Sequence, residues 1–330
     1  MHIIGIGGNV MRKQLYALVL FVLVLLLLFQ SQTSFDSSQP YLSEHHTTVA
    51  PVVAGKENNV YDKLEEAANA YNQPPIDAVV DKVWKAVPGY NGRIVDMKAS
   101  YEAMEDAGQF KENLLVFKEI PPEVHLEDLP PAPIYKGNSE KPMASFIVNV
   151  SWGEEYLPQM LKVLREERTK ATFFLEGRWV QKNPKLAKMI VEEGHEIGSH
   201  AYSHPDLNAT PVNKIHQELQ QTNESIEAVL SITPSLFAPP SGSYNDQVVE
   251  IAAKMGMHTI LWTVDTIDWK SPDPMQMAEK TAAKTDNGSI ILMHPTSSAV
   301  QGLQPLIRSI KEKDIQLDTV SELIDESRVD

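Results

Sequence analysis

The sequence predicts an α/β protein: a (β/α) barrel in the second half, preceded by a small α+β domain and an N-terminal hydrophobic segment. Two observations carry the barrel. From Met143 onward, short apolar strand-like runs alternate with amphipathic helix-like stretches. Repeated βα units of this length imply parallel strands covered by helices, and about seven of them favour a barrel over an open sheet. The unusual polar residues then fall just after the predicted strands, the ends at which such barrels carry their chemistry. A third observation sets the boundary: a proline-rich stretch, Pro121–Pro133, separates this region from a different helix-and-strand pattern before it.

At 330 residues, 42% hydrophobic and 22% charged, the chain is long enough for two domains with real cores. The formal net charge of −15 argues against a nucleic-acid partner, because phosphate binding needs clustered Lys and Arg. There are no cysteines. Disulfides, thiol catalysis and Cys-ligated zinc are excluded, and any metal is left to His and carboxylates.

Taken in order, Arg12 and Lys13 precede an apolar run from Leu15 to Phe29. A helix of that length spans about 22 Å, short of the ~30 Å bilayer core. Residues 1–30 read as a signal peptide or a signal-anchor, and the absence of an A-x-A cleavage site favours the anchor. Positive charge before the apolar run places the bulk of the chain outside the cytoplasm, membrane-anchored through residues 12–29 or secreted. Met11 begins MRKQ, a better export-signal start than Met1. Residues 31–57, rich in Ser, Thr, Gln and His, form a tether.

Residues 58–120 are the small α+β domain, with helices over Tyr61–Tyr71 and Ile76–Val87, a strand at Arg93–Met97, a helix at Lys98–Asp106 and a strand at Leu114–Phe117. Trp84 belongs to its core. Residues 121–142 form an extended, semi-rigid linker, since proline fixes φ and removes donors; His125 is solvated within it. The barrel occupies 143–327. Its predicted strands are Ala144–Val150, Ala171–Leu175, Glu196–Ser199, Leu236–Ala238, His258–Thr263 and Ser289–Met293. Its predicted helices are Glu155–Glu167, Pro184–Glu193, Val212–Leu230, Asp246–Met255, Pro274–Thr285 and Val300–Glu312.

The polar clusters after these strands are Asn149 to Gly153, His200 with His204, Ala238 to Gly242, Asp265 to Trp269, and Leu292 to Pro295. His200 and His204 share one face if their turn is helical, and could then hold one divalent ion; two imidazoles supply half of a tetrahedral shell. The alternative is a polar turn without metal. Asp268 and His294 are a candidate acid/base pair, in which the carboxylate orients the imidazole; alternatively Asp268 caps a turn. Trp269 either walls a sugar site or is core.

With H-A-Y-S-H at 200–204, A-P-P-S-G at 238–242, D-T-I-D-W at 265–269 and L-M-H at 292–294, residues 143–325 resemble the NodB-homology domain of polysaccharide deacetylases, carbohydrate esterase family four. ATFFLEGRW and GHEIGSHAYSHPDL add to the likeness. With its hydrophobic start and proline-rich stretch, the whole chain resembles the sporulation-associated deacetylase-like proteins of Bacillus. The resemblance implies a distorted (β/α) barrel and metal-dependent removal of N-acetyl, sometimes O-acetyl, groups from chitin-like glycans, peptidoglycan or xylan. It implies a divalent metal, zinc or similar, on His200 and His204 with a third ligand. It also implies Asp268 and His294 on the general-acid side, Ser241 (through its backbone N–H), Trp269 and Leu292 at the substrate, and cell-wall glycan as the partner.

The family's first motif reads TFDDG; here the same place reads N-V-S-W-G. Ser151 stands where the family has its catalytic base, and Trp152 where it has the third metal ligand. Ala238 replaces the arginine that pairs with the base. A serine hydroxyl is not basic at neutral pH, and an indole has no lone pair for a metal. Loss of the arginine together with its carboxylate is coherent, because either alone would leave an uncompensated charge. Glu154 and Asn149 are candidate substitutes. The expectation is a cell-wall deacetylase whose activity is weak or lost; the alternative is an inactive glycan-binding or envelope scaffold protein.

Overall fold

The structure, a computed structural model, describes residues 57–329. The hydrophobic segment and most of the tether lie outside the described residues. Among the described residues, no helix is long and apolar enough to cross a membrane.

Helix α1 (Glu57–Tyr71) lays Val60 and Leu64 against Met104 in a small apolar cluster. The segment that follows is not the helix predicted over Ile76–Val87. It is an antiparallel hairpin of β1 (Val79–Asp81) and β2 (Lys85–Val87), with Val79 opposite Val87. The valines at helical spacing are also a β-branched run, which suits a pleated strand better. Asp81 Oδ1 accepts the N–H groups of Val83 and Trp84 at 2.7 and 2.8 Å and closes the turn. Trp84 is exposed rather than core, its ring 6.5 Å from that of Tyr135. Strand β3 (Gly92–Val95), helix α2 (Met97–Met104), N-capped by Asp96, and strand β4 (Phe117–Ile120) complete this region. Strand β4 pairs antiparallel with β3; it starts later than predicted because Glu112–Leu114 make a 3-10 turn.

The proline-rich stretch lies along the following domain. Leu126 and Ile134 are buried in one cluster with Ala86, Ile147, Phe174 and Leu236. His125 Nδ1 sits 2.7 Å from Glu326 Oε2.

Strand β5 (Met143–Val150) is buried at every position, as expected of a central parallel strand. After it come α3 (Leu157–Glu166), β6 (Thr172–Leu175), α4 (Gly177–Lys182), α5 (Pro184–Glu192), β7 (Glu196–Ser199) and α6 (Val212–Leu230). Then follow β8 (Leu236–Phe237), α7 (Asp246–Lys254), β9 (His258–Thr259), β10 (Val264–Asp265), α8 (Pro274–Lys284), β11 (Ile290–Met293), α9 (Ser297–Lys311), β12 (Gln316–Leu317) and α10 (Val320–Ile324). The sheet order is β10-β11-β5-β6-β7-β8-β9, with β12 added on β5, and every pairing is parallel.

The sheet curls but does not close, because β9 and β10 do not pair. The chain between them hydrogen-bonds elsewhere: Leu261 N–H donates to Ile134 and Thr263 N–H to Ile290. The strand predicted over His258–Thr263 is therefore cut to two residues and followed by a new one, β10. Side chains alternate across the sheet. Phe146, Val148 and Phe173 join the helix layer, while Ile147, Phe174, Ile290 and Leu292 face the interior. The same period of two carries Asn149 and Ser151 onto the interior side of β5, and His294 onto that of β11.

One buried group gives the fold an acid limit. His195 precedes β7 with its ring 5.1 Å from Phe173, and its Nδ1 accepts the Ala171 N–H at 3.3 Å. Burial, helped by nearby Lys170, depresses its pKa to about 4. The unfolded chain takes up that proton near pH 6.5, so the contribution is complete above that value and is lost as pH falls towards 4. The shift corresponds to on the order of 3 kcal/mol. We expect the melting temperature to fall across this window and His195→Phe to make the slope shallower; an unchanged slope would assign the acid sensitivity to other groups.

Candidate functional site

The interior-facing residues at the upper strand ends enclose a groove of about 390 Å³, lined by Asn149, Ser151, Trp152, His200, His204, Ser241, Trp262, Asp265, Trp269, Leu292 and His294. All the residues singled out as metal ligands, and Ser151, His294, Ser241, Trp269 and Leu292, meet there. Asp268 lies behind His294, and Glu154 is exposed and does not line the groove.

His200 follows β7 and is buried. Its Nδ1 lies 2.8 Å from the carbonyl of Ala238. A carbonyl only accepts, so Nδ1 carries the proton and Nε2 is the free nitrogen. The turn after it is not helical, unlike the arrangement that would put both histidines on one helix face. Ala201 and His204 take left-handed φ of 59° and 57°. Glu218 on α6 holds the turn: its Oε2 accepts the N–H groups of Tyr202 and Ser203 at 3.0 and 2.8 Å, and its Oε1 accepts the Ser203 hydroxyl at 2.7 Å. The two imidazoles meet edge-on with centroids 5.2 Å apart. Burial, with His204 adding to it, pushes His200 down to about 3; burial also lowers His204. Both rings are therefore neutral at pH 7.

Asp268 is fully buried in a 3-10 turn, Asp268–Lys270, flanked by Ile267 and Ser271 at left-handed φ of 54° and 51°. A β-branched residue there is a real outlier, held by its surroundings. Asp268 Oδ2 accepts the backbone N–H of His294 at 2.6 Å, and Oδ1 lies 2.9 Å from His294 Nδ1. The carboxylate thus fixes Nδ1 as the protonated nitrogen and turns Nε2 into the groove. Asp268 does not cap a turn in place of this role; it binds His294 twice. The same turn leaves Trp269 exposed at the rim, not in the core.

Trp152 lies flat on His294, ring centroids 5.9 Å apart and planes 9° apart. The next residue makes this approach possible. Gly153 has φ of 80°, and a Cβ there would stand 2.1 Å from the Pro295 carbonyl oxygen. Asn149 is 4% exposed, and its Oδ1 has no hydrogen-bond partner. Glu176, on the face beside Ser151, has its carboxyl pushed up by burial while the Ser151 hydroxyl pulls the other way. Glu176, Glu218 and Trp262 were not singled out in the sequence. Only Glu218 left a trace there, as a charge beside the apolar positions Ile215 and Leu219 of α6.

A structural test of a metal fails on the donor set. His200 Nε2 and His204 offer two imidazoles; the carboxylate that also lines the groove, Asp265, has its Oδ1 on the Ile267 N–H at 2.7 Å. Among the described residues no group of three or more His, Asp or Glu could hold a metal ion. Zinc sites of the catalytic kind use three protein ligands. The residues present do not complete that shell. Ala238 is buried, with its N–H on Ser199, and contributes no cation to the groove.

A polysaccharide deacetylase family model matches residues 136–260. The chain is 45% identical over 311 residues to the uncharacterized protein YlxY of Bacillus subtilis, covering 94% of this chain and 97% of that protein. It is 33% identical over 175 residues to a peptidoglycan-N-acetylglucosamine deacetylase of Bacillus cereus, covering 51% of this chain and 82% of that one. The crystal structure of a wild-type CE4 family pseudoenzyme from Bacillus anthracis superposes with a TM-score of 0.78 at 48% identity, covering 82% of this chain and 97% of that chain. A mutant of that pseudoenzyme, with the same TM-score, is described as having restored enzymatic activity.

Proposed function

The chain belongs to the polysaccharide deacetylase family, and on that footing we propose that it binds an amino-sugar glycan of the cell wall in a groove that has lost its hydrolytic centre. The observation that carries this is Trp152, which occupies the place of a metal-ligating carboxylate and stacks on His294. A deacetylase of this family needs a base, a metal and an acid. Ser151 supplies no base, and the two imidazoles of His200 and His204 bind a divalent ion such as zinc weakly at best. Only the acid side survives, since Asp268 still orients His294 with Nε2 toward the groove, where a proton taken up at that nitrogen can pass to a leaving amine.

The groove's binding elements are kept. Trp269 and Trp152 offer exposed ring faces on which a sugar can stack. Leu292 and Ser241 line the groove, where the Ser241 backbone N–H would serve the acetyl oxygen and the unpartnered Asn149 Oδ1 would accept an amide or hydroxyl proton. In this reading residues 143–327 carry the groove, and the 58–120 α+β region with the 121–142 stretch packs against them through Ala86, Leu126 and Ile134. The protein is extracytoplasmic, anchored by or released from residues 12–29. The intact Asp268–His294 pair supports a second reading, a slow residual deacetylase.

The test is titration of the full chain with N-acetylglucosamine oligomers, followed by tryptophan fluorescence, alongside an acetate assay. We expect saturable binding without acetate above a no-protein control. Trp269→Ala should weaken binding about tenfold, or ~1.4 kcal/mol, within the range of one aromatic contact. Unchanged affinity in the variant would remove the stacking platform, and acetate release by the wild type would establish the slow enzyme instead.

A further inference from the structure

Twelve large apolar side chains are exposed among the described residues, and five of them, Ile76, Val79, Val80, Val83 and Trp84, fall within nine positions. Single exposed apolar residues are ordinary; a cluster of them marks a surface that meets something. This cluster is the β1–β2 hairpin with the residues leading into it. Val79 and Val80 are 50% and 49% exposed, and consecutive strand residues point to opposite faces, so both faces of β1 are open. Val83, at the tip, is 67% exposed. The second strand holds the hairpin in place: the Ala86 N–H donates to the Pro133 carbonyl at 3.1 Å, and the Ala86 side chain is buried with Leu126 and Ile134. Lysines ring the tip. Lys82 is exposed, Lys85 has its Nζ 3.4 Å from the Lys82 carbonyl, and Lys136 Nζ lies 6.0 Å from the centre of the Trp84 ring. Among the described residues none of the three is in an ion pair. The hairpin's own carboxylate, Asp81, is turned back onto the N–H groups of Val83 and Trp84, and Asp77, just before it, onto those of Glu123 and Val124.

We propose that this hairpin docks on an anionic lipid surface, with Val83 and Trp84 in the interface and the lysines at the level of the phosphates. The assignment rests on the reading of residues 12–29 as a membrane anchor. Residues 30–56 separate that segment from α1, and whatever path those 27 residues take, they hold Glu57 within about 100 Å of Phe29. The anchor thus makes docking an intramolecular event, for which a small contact suffices. A second copy of the chain fits the hairpin less well, because a stable protein interface takes about 20–30 residues from each side. A tryptophan among lysines suits the headgroup region: the indole has an apolar body and one polar edge, and lysine stems lie along apolar surface while their ammonium groups reach outward. In a chain of net charge −15, which anionic lipid repels as a whole, a lysine-ringed tip is the part able to approach it. The register gives the direction. Strand β2 pairs antiparallel with Ile134, and Ile134 pairs parallel with Ile260 just after β9, so the tip points toward the end of the barrel that carries the groove. Docking therefore turns that end toward the lipid, where glycan close to the membrane is within its reach.

The experiment reconstitutes the full chain into vesicles of phosphatidylglycerol and phosphatidylethanolamine, with or without bromine on the acyl chains near the headgroup, and reads tryptophan emission. Bromine quenches only an indole in contact with the lipid. We expect quenching in the wild type and its loss in Trp84→Phe, which keeps an aromatic ring at the tip and removes the indole. Val80→Ser/Val83→Ser should also abolish the quenching while leaving the melting temperature unchanged, since both side chains are exposed. Brominated phosphatidylcholine alone should quench less; equal quenching there overturns the requirement for anionic lipid. Quenching in Trp84→Phe equal to that in the wild type overturns the docking, because another tryptophan then meets the lipid. No quenching in a chain that stays with the vesicles through a high-salt and alkaline wash overturns the docking and leaves the anchor standing. If that same sample cross-links as a dimer that the double valine variant abolishes, the hairpin is a contact between copies instead. A chain that the wash strips from the vesicles overturns the anchor reading and the docking with it.

Discussion

Ser151→Asp, Trp152→Asp and Ala238→Arg introduced together should turn this chain into a metal-dependent deacetylase. Position 151 continues the interior face of β5, so an aspartate there points into the groove beside His294. Position 152 lines the same groove as two neutral imidazoles, one of which, His200, already has Nε2 free because Nδ1 is committed to the Ala238 carbonyl. An aspartate there supplies the third protein ligand that the groove lacks. It also removes the indole that stacks on His294. The arginine at 238 pairs with the new base and prevents an isolated charge. A general base alone is worth about 10²–10⁴ in rate. The expected result is acetate release from N-acetylglucosamine oligomers that depends on added zinc, cobalt or nickel and is abolished by a chelator. A mutant of the related Bacillus anthracis pseudoenzyme has restored enzymatic activity. A triple variant that folds and binds metal yet stays inert would mean that the groove differs in more than these three positions.

Asp268→Ala is expected to be the most damaging single change to the fold of the site. The carboxylate is fully buried and accepts both the backbone N–H and the ring N–H of His294. Removing it leaves a buried backbone donor and an imidazole without partners, and breaking a buried charged network in this way costs about 3–5 kcal/mol. The melting temperature should drop by about 10 °C, and the tryptophan emission should shift as Trp152 loses its ordered partner. Asp268→Asn keeps one acceptor and should cost less than half as much. A loss below about 1 kcal/mol for the alanine variant would show that solvent already reaches His294 from behind.

Much of the barrel was legible because its strands and helices keep clean periods. Val212–Leu230 is a helix over the predicted span, and β7 is the predicted Glu196–Ser199. The opening between β9 and β10 was not legible, since it arises from pairing with Ile134, more than a hundred residues earlier in the chain. The hairpin at Val79–Val87 was misread because a valine run satisfies helical spacing and strand propensity equally; the deciding contacts are Asp81 with its own turn. At the site, the residues at strand ends were found by position. Their local reasons were not. His200 and His204 meet through left-handed residues cradled by Glu218, and a pattern four apart cannot distinguish that from a helix. Trp262 was hidden inside a stretch read as plain strand.

The most direct measurement is the affinity of the wild-type full chain for an N-acetylglucosamine oligomer with a strong chelator present, set against its affinity with excess zinc. A groove in which an indole has replaced a metal ligand binds the glycan equally in both conditions. Binding that appears only with zinc, in one-to-one stoichiometry with the protein, would contradict it and show a working metal centre on His200 and His204.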